Sequence, residues 1–191
     1  MSPRTDSQNE IIREERRNQI LAVALEVLAE HGFAGTSISK IATRAKISKG
    51  LMYNYFASKE ELIYEVMIDG FNRLIESFDA NKDGTLTTDE MHYFIDATFE
   101  TLETNIPFWR TYFMVLLQPD VLQVVYPKLM EVLGPFFETA MKYFVDNGYD
   151  DPEAQLRFFA GMLDGVGLHY IMDPENFPLA GVKKIIHGLF K

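Results

Sequence analysis

The chain has 191 residues, of which 47% are hydrophobic, a net charge of −10 and no cysteine. The length suits one domain or two small ones sharing a core, and the apolar share excludes a disordered class. Without cysteine, disulfides, thiolate metal sites and cysteine nucleophiles are excluded, and a reducing cytoplasm fits. No apolar run approaches the roughly 18 residues that a membrane span needs, so no membrane partner is expected. The charge is uneven: residues 1–60 hold nine Lys/Arg and seven Asp/Glu, while residues 61–191 hold nine and twenty-one. A mildly basic head on an acidic body is compatible with one end touching DNA.

Residues 1–9 are polar and read as a disordered tail. From Glu10 a helical pattern begins, with Ile12, Ile20, Ala24, Val27 and Leu28 recurring at helical spacings. It ends at His31-Gly32, where Gly suits a C-cap. Thr36-Ser37 can N-cap a short helix through Ile38, Ile41, Ala42 and Ala45. After a break at Lys46-Ile47, Ser48 caps a very short helix, "SKGLMYNYF". Ser58 starts another helix, with Glu61 completing a capping box; it runs through Leu62, Val66, Phe71, Leu74 and Phe78. Further helices are expected near 90–104, 107–117, 121–147, 151–172 and 179–190, punctuated by prolines. No β-alternating run appears, so the expected fold class is all-α.

Long helix, short helix, tight break, short helix is the layout of a helix-turn-helix, whose second short helix enters the DNA major groove. Ser48 can offer a hydroxyl or helix N-terminal amides to a phosphate. Lys49 supplies charge, and Gly50 lets the backbone come close. Tyr53 and Tyr55 carry hydroxyl tips for phosphate oxygens, and Asn54 can read a base edge. Met52 and Phe56 would face the core.

The run "TSISKIATRAKISKGLMYNYFASKEEL" resembles the DNA-binding region of the tetracycline-repressor (TetR) family of bacterial regulators. The pattern is carried by Thr36, Ile41, Ala42, Ser48, Lys49, Gly50, Tyr53, Tyr55, Phe56, Ser58, Lys59, Glu60 and Leu62. Lys46 departs from it, standing where the family usually has Gly. The resemblance covers about residues 10–65. It implies a three-helix DNA-binding domain at 10–57, with Thr36, Ser37, Ser48, Lys49, Gly50, Tyr53, Asn54, Tyr55 and Lys59 as DNA-binding residues. It also implies a helical ligand-binding and dimerisation domain at 58–191. The dimer would form through helices 151–172 and 179–190, where Gly161, Gly165 and Gly167 allow close packing. A dimer places two recognition helices about 34–36 Å apart to read a palindromic operator on double-stranded DNA.

In the body, aromatics and Met suit an apolar small-molecule effector. Trp109, Tyr112, Phe113, Phe137, Met141, Phe159, Met162 and His169 are the candidate ligand residues, though each taken singly also suits a core. Arg110, Gln118 and Asp164 are further polar candidates. No phosphate loop, HExxH or G-x-S-x-G motif occurs, so neither an enzyme nor an organic cofactor is expected.

One motif stands apart. "DANKDGTLTTDE", residues 79–90, fits the calcium-loop pattern. Asp79, Asn81, Asp83, Thr85 through its carbonyl, Thr87 and Glu90 supply oxygen at the six ligand positions, and Gly84 takes the sharp turn. The stretch with its flanks, residues 71–99, resembles an EF-hand. Thr87-x-x-Glu90 is also a capping box, and no second EF-hand is present. The expected function is a homodimeric, cytoplasmic DNA-binding regulator, a repressor released by a small apolar or aromatic ligand, with Ca2+ binding at 79–90. The alternative is a calcium-sensing protein in which Ca2+ is the main effector.

Overall fold

A computed structural model describes residues 6–190, and among them there are nine α-helices and no strand. These are α1 (Asp6–Gly35), α2 (Ile38–Arg44), α3 (Lys49–Met52), α4 (Lys59–Ile75), α5 (Thr88–Thr104), α6 (Ile106–Leu116), α7 (Pro119–Asp146), α8 (Pro152–Met172) and α9 (Leu179–His187). The all-α expectation holds, and the expected boundaries fall within a few residues of these, as frayed ends allow. Residues 6–9, expected in the tail, belong to α1, and residues 1–5 lie outside the described residues. Pro127 and Pro135 do not end α7, which continues through both. Among the described residues, no helix is long and apolar enough to cross a membrane.

The chain divides into two compact units. The first holds the chain up to Asp69 together with Met114–Tyr126; the second holds Gly70–Phe113 and the chain from Pro127 on. The boundary expected at 57/58 therefore falls inside the first unit, because α4 continues unbroken from Lys59 and only its later turns belong to the second.

In the first unit, local chemistry fixes the corners. Gly32 has φ 67°, so the chain breaks from helical geometry there even though a further turn reaches Gly35. Ser37 and Ser48 accept from the backbone N–H of Lys40 (3.2 Å) and Leu51 (3.1 Å), capping α2 and α3. Ser58 accepts from the Glu61 N–H at 3.0 Å, and the Glu61 carboxylate accepts from the Ala57 N–H. Ile20, Leu28, Ile41, Met52 and Leu62 are wholly buried. Lys46, at the turn between α2 and α3, has φ 56°, the left-handed region that glycine occupies without cost. This is the backbone reason that a Gly is usual there.

The second unit packs by aromatic contact. Trp109, Tyr112, Tyr143, Phe99, Phe144 and Phe159 are essentially inaccessible to solvent. Phe144, Phe159 and Phe190 meet one another at 5.3–6.2 Å between ring centroids. Gly70 on α4 lies directly against the Tyr112 ring of α6: a Cβ there would come within 2.1 Å of it. Gly167 on α8 approaches Leu102 of α5 in the same way, at 3.2 Å. The ion pair Lys183–Asp96 (2.7 Å) and the bond between His92 Nε2 and the His187 carbonyl (3.1 Å) tie α9 to α5.

Candidate nucleic-acid interface and ligand cavity

In the first unit, the α2–turn–α3 corner presents Ser37, Ser48, Lys49, Gly50, Tyr53 and Asn54 to solvent. Tyr53 is 50% exposed, with the Lys49 ammonium 6.0 Å from its ring centroid. α3 proper has only four residues, since the chain turns over at Tyr53, Asn54 and Tyr55. Tyr55 is half-buried, and the Arg13 guanidinium of α1 stands 5.9 Å from its ring.

Two residues of the expected DNA set have other employment. Thr36 is buried, and its hydroxyl donates to the Gly32 carbonyl at 2.7 Å, so its work is to close the α1–α2 corner. Lys59 donates to the Phe33 carbonyl at 3.1 Å with its ammonium 3.9 Å above the Phe33 ring, a cation–π clamp on the end of α1. Their polar groups serve the head's geometry because the corner has unsatisfied backbone carbonyls within reach.

In the second unit, a cavity of about 120 Å³ opens between α4, α5, α6, α7 and α8. Phe71, Leu74 and Ile75 face it from α4, and Phe94, Thr98 and Leu102, spaced four apart, from α5. α7 gives Leu133, Phe136 and Phe137. Of the expected ligand residues, Phe113 and Phe137 line the cavity. Trp109, Tyr112 and Phe159 are instead buried packing, Trp109 donating from its indole N–H to the Thr101 carbonyl at 2.9 Å. Met141 and Met162 are half-buried and His169 is exposed; none of the three lines this cavity. Arg110 donates twice to the Ile171 carbonyl, at 2.8 and 3.3 Å, closing the C-terminal end of α8. The α4 and α5 lining was missed because those residues read as ordinary helix-core positions. Asp164 is the one ionisable group of the lining, and burial raises its carboxyl above the usual range.

The 79–90 loop is closed by its own side chains. Asp79 accepts from the N–H groups of Asp83 (3.1 Å) and Gly84 (3.0 Å), and Asp83 from the N–H and hydroxyl of Thr85. Those bonds hold the Asp83 carboxyl below the ordinary range. Glu90 accepts from both the N–H and the hydroxyl of Thr87, completing the capping box of α5. Asn81 Nδ2 lies 3.2 Å from Asp83 Oδ2 and 2.8 Å from Glu90 Oε1. Gly84 adopts φ 72°, as the sharp turn requires, and Phe78 and Leu86 are buried on either side. Among the described residues, no group of three or more His, Asp or Glu side chains is gathered closely enough to hold a metal ion. The loop's carboxylates are turned instead to its own N–H groups.

A capped helix-turn-helix head is followed by a helical second unit with an apolar cavity. Residues 20–66 match the family model of bacterial regulatory proteins, tetR family, and the fold is TetR-like. The chain is 30% identical over 106 residues to the HTH-type transcriptional activator FasR of Mycolicibacterium smegmatis, covering 55% of this chain; it spans about half, 48%, of that relative's length. The fold is similar to that of the fatty acid degradation regulator FadR from Bacillus halodurans (TM-score 0.71, 22% identity, covering 91% of this chain and 93% of that one). It is also similar to FadR from Bacillus subtilis in complex with stearoyl-CoA (TM-score 0.66, 20% identity, 90% and 95% covered). The regulators of this family are DNA-binding proteins and not enzymes.

Proposed function

We propose that the protein is a homodimeric transcriptional repressor that binds a palindromic operator and releases it when a small apolar ligand enters the cavity of the second unit. The observation that carries this reading is the exposed row Ser48, Lys49, Gly50, Tyr53 and Asn54 on a corner fixed by two serine caps. Phosphate contacts would come from Lys49, Tyr53 and the α3 end, and base reading from Asn54. Dimerisation through α8 and α9 is supported by exposed apolar side chains there, Phe158 (51%), Met172 (65%) and Ile185 (67%), and by the open space around Gly161 and Gly165. A ligand in the cavity would press on Phe71, Leu74 and Ile75. These lie on the same helix whose earlier turns belong to the head, which supports coupling through α4. The likeness in fold to a fatty acid degradation regulator and to a FadR bound to stearoyl-CoA supports an apolar effector.

The test is a mobility shift with the palindrome upstream of the protein's own gene. Lys49→Ala with Tyr53→Ala is expected to abolish the shift and leave the melting temperature unchanged. Retained operator affinity in that variant defeats the reading. Affinity is to be compared at one salt concentration throughout.

We further propose that residues 79–90 bind Ca2+ through Asp79, Asn81, Asp83, Thr85, Thr87 and Glu90. Support comes from the hydrogen bonds that already draw Asp83 and Glu90 about the single amide nitrogen of Asn81, a partial positive charge where a cation would serve better. Asn81 would turn its amide to present oxygen, and Glu90 would keep its bond to Thr87 while offering its other oxygen. Titrating Ca2+ into metal-stripped protein should give heat that an Asp79→Ala, Glu90→Ala variant lacks. Equal heats remove the proposal. Calcium as the main effector requires operator affinity that changes with Ca2+ at fixed ionic strength.

A further inference from the structure

The cavity's lining is unusual in its charge. Five phenylalanines and several aliphatic side chains surround it, with Asp164 of α8 as the one ionisable group, and none of its described lining residues is Lys, Arg or His. Thr98, the other polar side chain, spends its hydroxyl on the Phe94 carbonyl at 2.8 Å. Asp164 itself is exposed on one side, so it stands at the mouth rather than the floor. We infer that the cavity selects an apolar ligand whose polar end is a hydrogen-bond donor, a cationic amine ahead of a neutral alcohol, and rejects a free carboxylate. This rests on the reading of the cavity as an effector site and goes beyond it by naming the ligand's charge.

An anionic ligand would bring a second negative charge close to a carboxylate that has no basic residue in the lining to share it, which costs affinity. An ammonium at the mouth would meet Asp164 directly and the faces of Phe113, Phe136 or Phe137 from the side. Crowding around the Asp164 carboxyl, with no charged partner contributing, raises its pKa, so a cationic donor beside it would favour its ionised form. In size, a dry cavity of about 150 Å³ holds benzene, so a single substituted ring matches the present volume of about 120 Å³.

The experiment uses three probes of one shape, benzylamine, benzyl alcohol and benzoate, titrated by calorimetry into the full-length protein. Trp109, the single tryptophan, serves as a second reporter, its ring 6.5 Å from that of Phe113. Benzylamine is expected to bind at least about tenfold more tightly than benzoate, the scale of one favourable against one unfavourable charge contact. Asp164→Asn should bring the two within about threefold and leave benzyl alcohol unchanged. Ala160→Leu, which fills the cavity, should weaken all three alike. Benzoate binding as well as benzylamine overturns the charge inference while the cavity reading survives. Retention of benzylamine by Ala160→Leu overturns it too, since the amine then binds elsewhere. If none of the probes binds the wild type, the effector-site reading falls and the inference falls with it. If Asp164→Asn alters only the monomer–dimer balance, Asp164 belongs to subunit contact and the inference is overturned.

Discussion

The two units are stabilised by different means. The first sets beside the 30-residue α1 two short helices, α2 with seven residues and α3 with four, too short to persist alone in water. It secures them end by end: Ser37, Ser48 and Ser58 cap, Thr36 closes a corner, Lys59 clamps α1, and Arg17 pairs with Glu65. Among the described residues the second has no helix as short as α3, and its α8 runs for 21 residues; such helices depend less on their ends than on their faces. It is held by edge-to-face rings and close helix approaches, and the same long faces leave a cavity among them. A presented surface calls for fixed backbone corners; a receptive interior calls for long faces that do not quite close.

The comparison breaks most sharply at Gly70. Gly70→Val should cost about 3 kcal/mol or more, because the Tyr112 ring has no room to retreat within a buried aromatic cluster. Denaturant unfolding measures it, and a loss under 1 kcal/mol would show the packing to be slack. In the first unit the expected losses are smaller and come from single bonds. Thr36→Val should cost about 1 kcal/mol by leaving the Gly32 carbonyl without its donor, and should reduce operator binding in proportion to unfolding and no further. Lys46→Gly should stabilise, by up to about 1 kcal/mol, by removing a side chain from φ 56°.

Asp164 sharpens the contrast through pH. Its folded carboxyl has a raised pKa, so ionisation opposes folding once pH exceeds the unfolded value of about 3.9. Below that value both states are protonated and Asp164→Asn should change nothing. As pH rises through the folded pKa, the variant should become progressively more stable than the wild type, and the gain should level off above it. Paired melting curves from pH 3.5 to 8 measure this, and a gain that shrinks as pH rises would reverse the assignment.

The same contrast explains what could be read in advance. The head was legible because its determinants are local: Ser37, Ser48 and Ser58 each act within three residues, and helix-turn-helix spacing is a property of one short stretch. Even so, Thr36 and Lys59 kept their places in the motif while turning inward, since motif position does not give side-chain direction. The cavity was only partly legible. Phe113 and Phe137 were found, whereas Phe71, Leu74 and Phe94 were not, because lining depends on where five helices cross. Trp109 and Phe159 have the same chemistry as the lining residues and fill core positions instead. The glycines of α8 divide likewise: Gly167 is taken up by Leu102 within the chain, while Gly161 and Gly165 stay open.

The two prolines inside α7 have a mechanical consequence. Neither Pro127 nor Pro135 has an N–H, so the carbonyls of Gln123 and Glu131, one turn earlier, lose their in-helix donor. Bending stiffness is lowest at such points. Pro127 opens the second unit's share of α7, and Pro135 sits between Leu133 and Phe136 on the cavity wall. α7 therefore comes to the cavity wall with two fewer backbone hydrogen bonds than an unbroken helix of its length.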